Sequence, residues 1–202
     1  ERMVSDARIK FLSFIGSSKV GWYLRTKIAA GTHCALEHGG AAPVIVEPDA
    51  DIDDALRLLV KGGFYDAGQV CVSVQRLFVH TRIVKQVSRS LADMAKNLVV
   101  GDPLLEKTEV GPLIQPQEVE RVDNWVQQAI ANGAKLLCGG KPISETCYQP
   151  TVLLDPPEDV NVSRQEIFGP VVCIYSYRHR LRAIQQANRL PFAFQGAVFT
   201  KN

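Results

Sequence analysis

Arg76-Leu77-Phe78-Val79-His80-Thr81-Arg82-Ile83-Val84-Lys85-Gln86-Val87 changes its hydrophobic period in mid-run. Ahead of Thr81, the compact apolar block Leu77-Phe78-Val79 reads as a buried strand. Beyond it, Ile83, Val84, Val87, Leu91, Met94, Ala95 and Leu98 recur at the spacing of one helix face, with Thr81 as the expected N-cap and Gly101-Asp102-Pro103 as the stop. A strand that runs straight into a long amphipathic helix is the unit from which parallel sheets are built.

The same alternation recurs on both sides. Residues 9–15 read as a strand, Gly16-Ser17-Ser18 as a turn, and residues 20–30 as a helix closed by Gly31. Two short strands, 34–37 and 44–46, flank the pair Gly39-Gly40. Acidic residues between Asp49 and Asp54 load the start of the next helix, whose inner face is Ile52, Ala55, Leu56, Leu59 and Val60. Further on, a helix is expected over 116–132, strands over 135–138, 151–154, 171–177 and 196–200, and a short helix over 181–188. The expected fold class is α/β, a three-layer domain with a largely parallel sheet flanked by helices.

Composition narrows the function classes. With 46% hydrophobic and 22% charged residues among 202, the chain has the makeup of a globular domain rather than a disordered or fibrous one. No apolar run approaches the roughly 20 residues that cross a bilayer, so no membrane partner is expected. A formal charge of +2 builds no field for a polyanion, so no nucleic acid is expected either. Five scattered cysteines form no C-x-x-C pair and lack histidines at ligand spacing, which argues against a disulfide framework or a metal site and for a reducing, cytoplasmic compartment. The chain opens on Glu1-Arg2-Met3 and stops just after an apolar run, as a piece of a longer protein would.

Four short phrases could carry chemistry. In Phe14-Ile15-Gly16-Ser17-Ser18-Lys19-Val20-Gly21, amides at a helix start and two hydroxyls suit a phosphate, or form a simple structural turn; the phrase is neither a Walker A loop nor G-x-G-x-x-G. In Leu36-Glu37-His38-Gly39-Gly40, a carboxylate with room around it is either a general base or a surface acid, and His38 is a base or merely solvated. Gly68-Gln69-Val70-Cys71 puts a thiol in a polar glycine loop, unlike Cys173, whose apolar neighbours make it a small core residue. In Glu166-Ile167-Phe168-Gly169-Pro170, an acid that can bind hydroxyls and a ring that can pack on another ring precede a strand.

Taken in order, these four phrases resemble the NAD(P)-dependent aldehyde dehydrogenase superfamily. Val100-Gly101-Asp102-Pro103, Gly111-Pro112-Leu113-Ile114, Gln149-Pro150-Thr151-Val152 and Ala197-Val198-Phe199-Thr200 support the match, which covers essentially the whole chain. The resemblance implies that Cys71 is the nucleophile and Glu37 the general base. It also implies that Gly16 and Ser17 lie near the pyrophosphate of NAD or NADP, and that Glu166 and Phe168 hold the nicotinamide ribose and ring. His38, where family members commonly carry Leu, falls beside the nicotinamide and is the main local departure. Residues 1–39 would be the last strand-helix unit of a cofactor-binding domain, and residues 40–202 a catalytic domain incomplete at its C-terminal end. The substrate would be a small aldehyde, and the parent protein a homodimer or homotetramer. The isolated 202 residues are expected to be inactive, since the rest of the cofactor site lies outside them. Two other readings of the same residues are a non-catalytic structural or interaction protein and a cofactor-independent thiol esterase.

Overall fold

Two short parallel strands open the chain. A computed structural model describes residues 2–192 and 194–202, and the chain divides into two compact units, Glu1–Gly40 and Ala41–Asn202. In the first, β1 (Phe11–Gly16) pairs in parallel with β2 (His33–His38), and α1 (Ser18–Arg25) connects them. Ser17 caps α1, its hydroxyl accepting from Val20 N. The helix is shorter than its composition suggests: Thr26 turns both its amide and its hydroxyl back onto Tyr23 O, at 3.1 and 2.7 Å, and ends it. The expected helix over 20–30 is corrected accordingly, because a threonine side chain competes for the carbonyl that the next turn needs.

The second unit is a six-stranded sheet in the order β5-β6-β7-β4-β3-β8. Its strands are β3 (Ala42–Val46), β4 (Val74–His80), β5 (Lys135–Cys138), β6 (Thr151–Leu154), β7 (Val171–Tyr177) and β8 (Ala197–Phe199). The β5–β6 pairing is antiparallel and the other pairings are parallel. Flanking helices are α2 (Ile52–Phe64), α3 (Val84–Lys96), α4 (Pro116–Ala131), α5 (Asn161–Arg164) and α6 (Arg180–Ala187). The α/β fold read from the sequence, a mostly parallel sheet between helices, is therefore the observed one.

Local chemistry explains the element ends. Asp51 caps α2 through Asp54 N, and Asp53 and Asp54 sit in the first turn, where their charge favours the positive end of the helix. Pro116 starts α4, where a missing amide costs nothing. Thr81 does not cap α3. Its amide instead donates to Tyr177 O at 2.9 Å and prolongs the β4–β7 pairing, and Ile83 begins the helix without a side-chain cap. That helix ends at Asn97, ahead of the expected stop at Gly101-Asp102-Pro103.

Leu59, Phe64, Leu77, Phe78, Leu91, Leu153 and Ile174 are buried in one continuous core around the central strands. Arg76 is buried with them: its guanidinium donates to Ala41 O, Gln186 O and Ala187 O, so it ties β4 to the start of β3 and to the C-terminal carbonyls of α6. Burial holds its pKa below the ordinary arginine value. Strand β4 also pairs with β7 from Arg76 to His80, so the loops that enter these strands lead onto adjacent hydrogen-bonded strands.

Candidate active site

Cys71 lies in the loop that enters β4, half-buried, in a turn closed by Ser73 N on Val70 O at 3.0 Å. The approach to that turn is unusual backbone. A single 3-10 turn, Tyr65–Gly68, follows α2, and Asp66, Ala67 and Gly68 take φ values of 48°, 55° and 71°. Non-glycine residues in this left-handed region cost about 1–3 kcal/mol each, so the surrounding packing must fix the loop.

Gly68 shows what fixes it. A Cβ placed there would lie 2.2 Å from Gly169 O and 2.6 Å from Gly169 C, so the two backbones touch because Gly68 has no side chain. Gln69 adds a second tie: its Nε2 donates to Asp66 O and Pro112 O, and its Oε1 accepts from Ile114 N at 2.9 Å. The Cys71 loop is thus pinned to the Phe168-Gly169 segment on one side and to the 112–114 loop on the other. Gly68→Ala is expected to destabilise the fold by about 2–4 kcal/mol, combining left-handed strain with a clash against backbone. Urea unfolding measures this, and a loss below about 0.5 kcal/mol would contradict the contact.

Around Phe168 the chain alternates outward and inward. Ile167 is buried, while Glu166 is half-buried and Phe168 is exposed at 41% of its surface with φ 50°. Both backbone groups of Ile167 are held by side chains. Its N–H donates to Gln75 Oε1 at 2.8 Å, and its carbonyl accepts from Arg121 Nη2 at 2.6 Å. Neither Gln75 nor Arg121 stands out in the sequence; a lone polar residue in a strand or on a helix face reads there as solvent-facing.

The remaining candidates belong to the first unit. Gly16 ends β1 opposite His38 at the end of β2, and Ser17 begins α1, whose first turn carries no acidic residue. Glu37 is exposed near the end of β2. The His38 imidazole packs edge-on against Trp22, ring centroids 5.1 Å apart at 81°, and lies over Gly21, where a Cβ would come within 2.5 Å of Nδ1. That nitrogen is buried and has no hydrogen-bond partner among the described residues. The structure therefore gives His38 a packing contact that the sequence alone does not suggest.

Cys34 and Cys147 are half-buried like Cys71, whereas Cys138 and Cys173 are buried. Burial pushes the Cys138 thiol up to about 11 and Cys173 up to about 12, so neither is a ready thiolate. Both are neutral in the folded state when an unfolded cysteine, with its ordinary value of 9.0, has begun to ionise. The unfolded chain then binds fewer protons than the native one, so stability falls as pH rises. The loss begins near pH 9 and runs to about 11–12, reaching about 2 kcal/mol or more by roughly pH 10.5. Urea midpoints at pH 8 and 10.5 check this, and Cys173→Ala should shrink the difference. A cavity of about 780 Å³ lined by Tyr177, Arg178, His179, Arg182 and Arg189 lies beside α6, well away in sequence and lining from Cys71. Among the described residues, no helix is long and apolar enough to span a membrane.

A cysteine loop packed against a carboxylate- and ring-bearing segment, at the entry to a central strand of a mostly parallel sheet, defines the class: an α/β protein with its candidate residues on the loops that enter and flank that sheet. All 202 residues match the profile of the aldehyde dehydrogenase family, and the chain belongs to that family. It is 38% identical over 202 residues to 3-sulfolactaldehyde dehydrogenase of Priestia megaterium, covering 100% of this chain and 42% of that protein. Glyceraldehyde-3-phosphate dehydrogenase of Methanocaldococcus jannaschii, solved with NADP, superposes with a TM-score of 0.94 at 39% identity, over 99% of this chain and 43% of that one. An aldehyde dehydrogenase of Mycobacterium tuberculosis solved with NAD+ gives 0.92 at 31% identity, over 99% and 42%. The chain thus spans about two-fifths of the length of these relatives.

Proposed function

We propose that this chain supplies the reacting thiol and the water-activating carboxylate of an NAD(P)-dependent aldehyde dehydrogenase, Cys71 and Glu37. The observation that carries the reading is the backbone contact of Gly68 with Gly169, which joins the loop bearing the nucleophile to the segment bearing Glu166 and Phe168. Family membership supports the chemistry.

In this mechanism Cys71 Sγ bonds to the aldehyde carbonyl carbon, the C=O π bond opens and the thiol proton ends on the carbonyl oxygen, giving a thiohemiacetal. NAD(P)+, which Gly16, Ser17, Glu166 and Phe168 would hold, would supply the hydride acceptor there; with the hydride and the hydroxyl proton gone, Cys71 carries a thioester. Glu37 then takes a proton from water as the water oxygen bonds to the thioester carbon. The C–S bond breaks, the carboxylic acid departs and the thiolate returns to Cys71. Aldehyde, NAD(P)+ and water thus become carboxylic acid, NAD(P)H and a proton. Covalent capture divides one difficult oxidation into two easier steps.

The residues present fit the cofactor. Phe168 offers an exposed ring on a clamped peptide, and Glu166 a half-buried carboxylate suited to ribose hydroxyls. Gly16 and Ser17 stand at a helix start with no acidic side chain in its first turn, which suits the pyrophosphate. His38 lies beside the nicotinamide in this reading. Residues 1–39 are read as the end of the cofactor-binding domain and 40–202 as catalytic domain. A reducing, cytoplasmic compartment suits a reaction that needs Cys71 unoxidised, and the complete protein is read as a homodimer or homotetramer.

Because the chain spans 42% of the relative it matches, the 202 residues alone are expected to show little or no dehydrogenase activity. Purified chain and complete gene product are compared for NAD(P)H formation with 3-sulfolactaldehyde, glyceraldehyde 3-phosphate and short neutral aldehydes. Turnover by the complete protein alone supports the reading. Equal turnover by the 202 residues, or none by the complete protein, contradicts it.

A further inference from the structure

Gln75 lies in β4, four residues beyond Cys71, and is only 5% exposed. Both of its N–H donors and its carbonyl oxygen are engaged, and all three bonds go to one stretch of backbone. Its Nε2 donates to Val162 O at 3.1 Å and to Gln165 O at 2.7 Å, and its Oε1 accepts from Ile167 N at 2.8 Å. These three bonds span residues 162–167, the approach to the Glu166-Ile167-Phe168 phrase. That stretch contains only one short helical turn, α5, and belongs to no strand. A strand side chain therefore replaces the pairing that a sheet neighbour would otherwise give.

Arg121 completes the hold at the other backbone group of the same residue, so the peptides on both sides of Ile167 are tied. Its Nε pairs with Glu118 Oε2 at 2.7 Å, its Nη2 takes Ile167 O, and its guanidinium lies 4.6 Å from the Trp125 ring. Ile167 is buried at 1% exposure, so its side chain anchors the peptide that the two polar groups orient. With Ile167 fixed at N–H, C=O and side chain, Glu166 and Phe168 have little freedom in where they project.

We propose that Gln75 is a positioning residue for the cofactor: through Val162, Gln165 and Ile167 it sets Glu166 and Phe168 relative to the Cys71 strand. The proposal rests on the reading that Glu166 and Phe168 hold the nicotinamide ribose and ring. Gln75 touches neither cofactor nor substrate. It acts through the peptide it holds, so its loss should weaken cofactor binding and leave the thiol itself as reactive as before.

The complete gene product is prepared as wild type, Gln75→Leu, Gln75→Glu and Glu166→Gln. NAD(P)H affinity is read by fluorescence titration, backbone order over 165–168 by amide exchange without cofactor, and Cys71 reactivity by iodoacetamide alkylation. Gln75→Leu should raise the cofactor Kd and KM at least about tenfold, speed exchange at Ile167 by a similar factor, and change Cys71 alkylation by less than about twofold. Gln75→Glu guards against a variant that does not fold. Its carboxylate can still accept from Ile167 N–H but faces two carbonyl oxygens, so affinity should be poor at neutral pH and recover as acid restores a donor. Glu166→Gln should weaken cofactor binding without loosening Ile167. If Glu166→Gln binds cofactor as wild type does, the underlying reading of the segment fails. If Glu166→Gln binds weakly while folded Gln75 variants keep wild-type affinity, the positioning role is overturned and the reading of the segment survives.

Discussion

Replacing Cys71 with alanine in the complete protein is expected to abolish NAD(P)H formation from any aldehyde, a fall on the order of a millionfold in kcat for a working nucleophile removed outright. The size of the effect follows from chemistry rather than folding. Cys71 is half-buried in a turn whose ties among the described residues come from Gly68, Gln69 and Ser73 rather than from its own side chain. Its truncation should therefore cost less than about 1 kcal/mol of stability. A thermal melt beside the assay separates the two causes. Activity retained within about tenfold would remove Cys71 from the mechanism. The same variant decides between the two other readings: loss of cofactor-free ester hydrolysis with no dehydrogenase activity in the parent would favour a thiol esterase, and indifference in every assay would favour a non-catalytic scaffold.

Glu37→Gln should produce the second-largest effect, and a different one. An amide of the same size cannot take a proton from water, so hydrolysis of the thioester slows by about 10²- to 10⁴-fold. Thioester formation draws on Glu37 only insofar as the carboxylate also helps to activate the Cys71 thiol, whereas hydrolysis depends on it directly. The variant is therefore expected to make one equivalent of NAD(P)H rapidly and then stall, whereas Cys71→Ala makes none. Glu37 is exposed near the end of β2, so the substitution leaves the first unit's packing intact. Stopped-flow absorbance reads the first equivalent and the steady rate separately. Unchanged steady turnover would show that another group activates the water.

The parts of the fold that depend on local pattern are legible in the sequence itself. Leu77-Phe78-Val79 reads as a buried strand and is one, because a continuous apolar block has few other uses in a chain this size. Helix α4 runs from Pro116 to just short of Gly133, since proline and glycine punctuate helices by their own backbone restrictions. Thr81 misled for a physical reason. A threonine ahead of an apolar run suits an N-cap, but its amide was worth more as one further rung between β4 and β7. Composition also overstated α1, where the Thr26 hydroxyl diverts a carbonyl from the helix.

Strand order lies beyond local pattern altogether. β8 comes last in the chain and pairs with β3, the first strand of its sheet, a contact across some 150 residues that no nearby residue signals. The candidate site divides along the same line. Cys71, Glu166 and Phe168 stand out as candidates because a thiol, an acid and an aromatic ring suggest chemistry by type and the order of their phrases resembles a known family. Gln75 and Arg121 could not, because the peptide they hold is 92 and 46 residues away. Gly68 was visible as a glycine, but its reason, the backbone of Gly169 at contact distance, exists only in the folded chain.

The central claim is that Cys71 becomes acylated during aldehyde oxidation, and the stalled Glu37→Gln protein offers the direct test. The complete variant is mixed with NAD(P)+ and an aldehyde that the parent oxidises, quenched in acid, digested and weighed by mass spectrometry. An acyl group on the peptide containing Cys71, stoichiometric with the NAD(P)H formed and absent when either reactant is withheld, is the predicted result. NAD(P)H formed with an unmodified Cys71, or an acyl group on Cys34 or Cys147 instead, would contradict it.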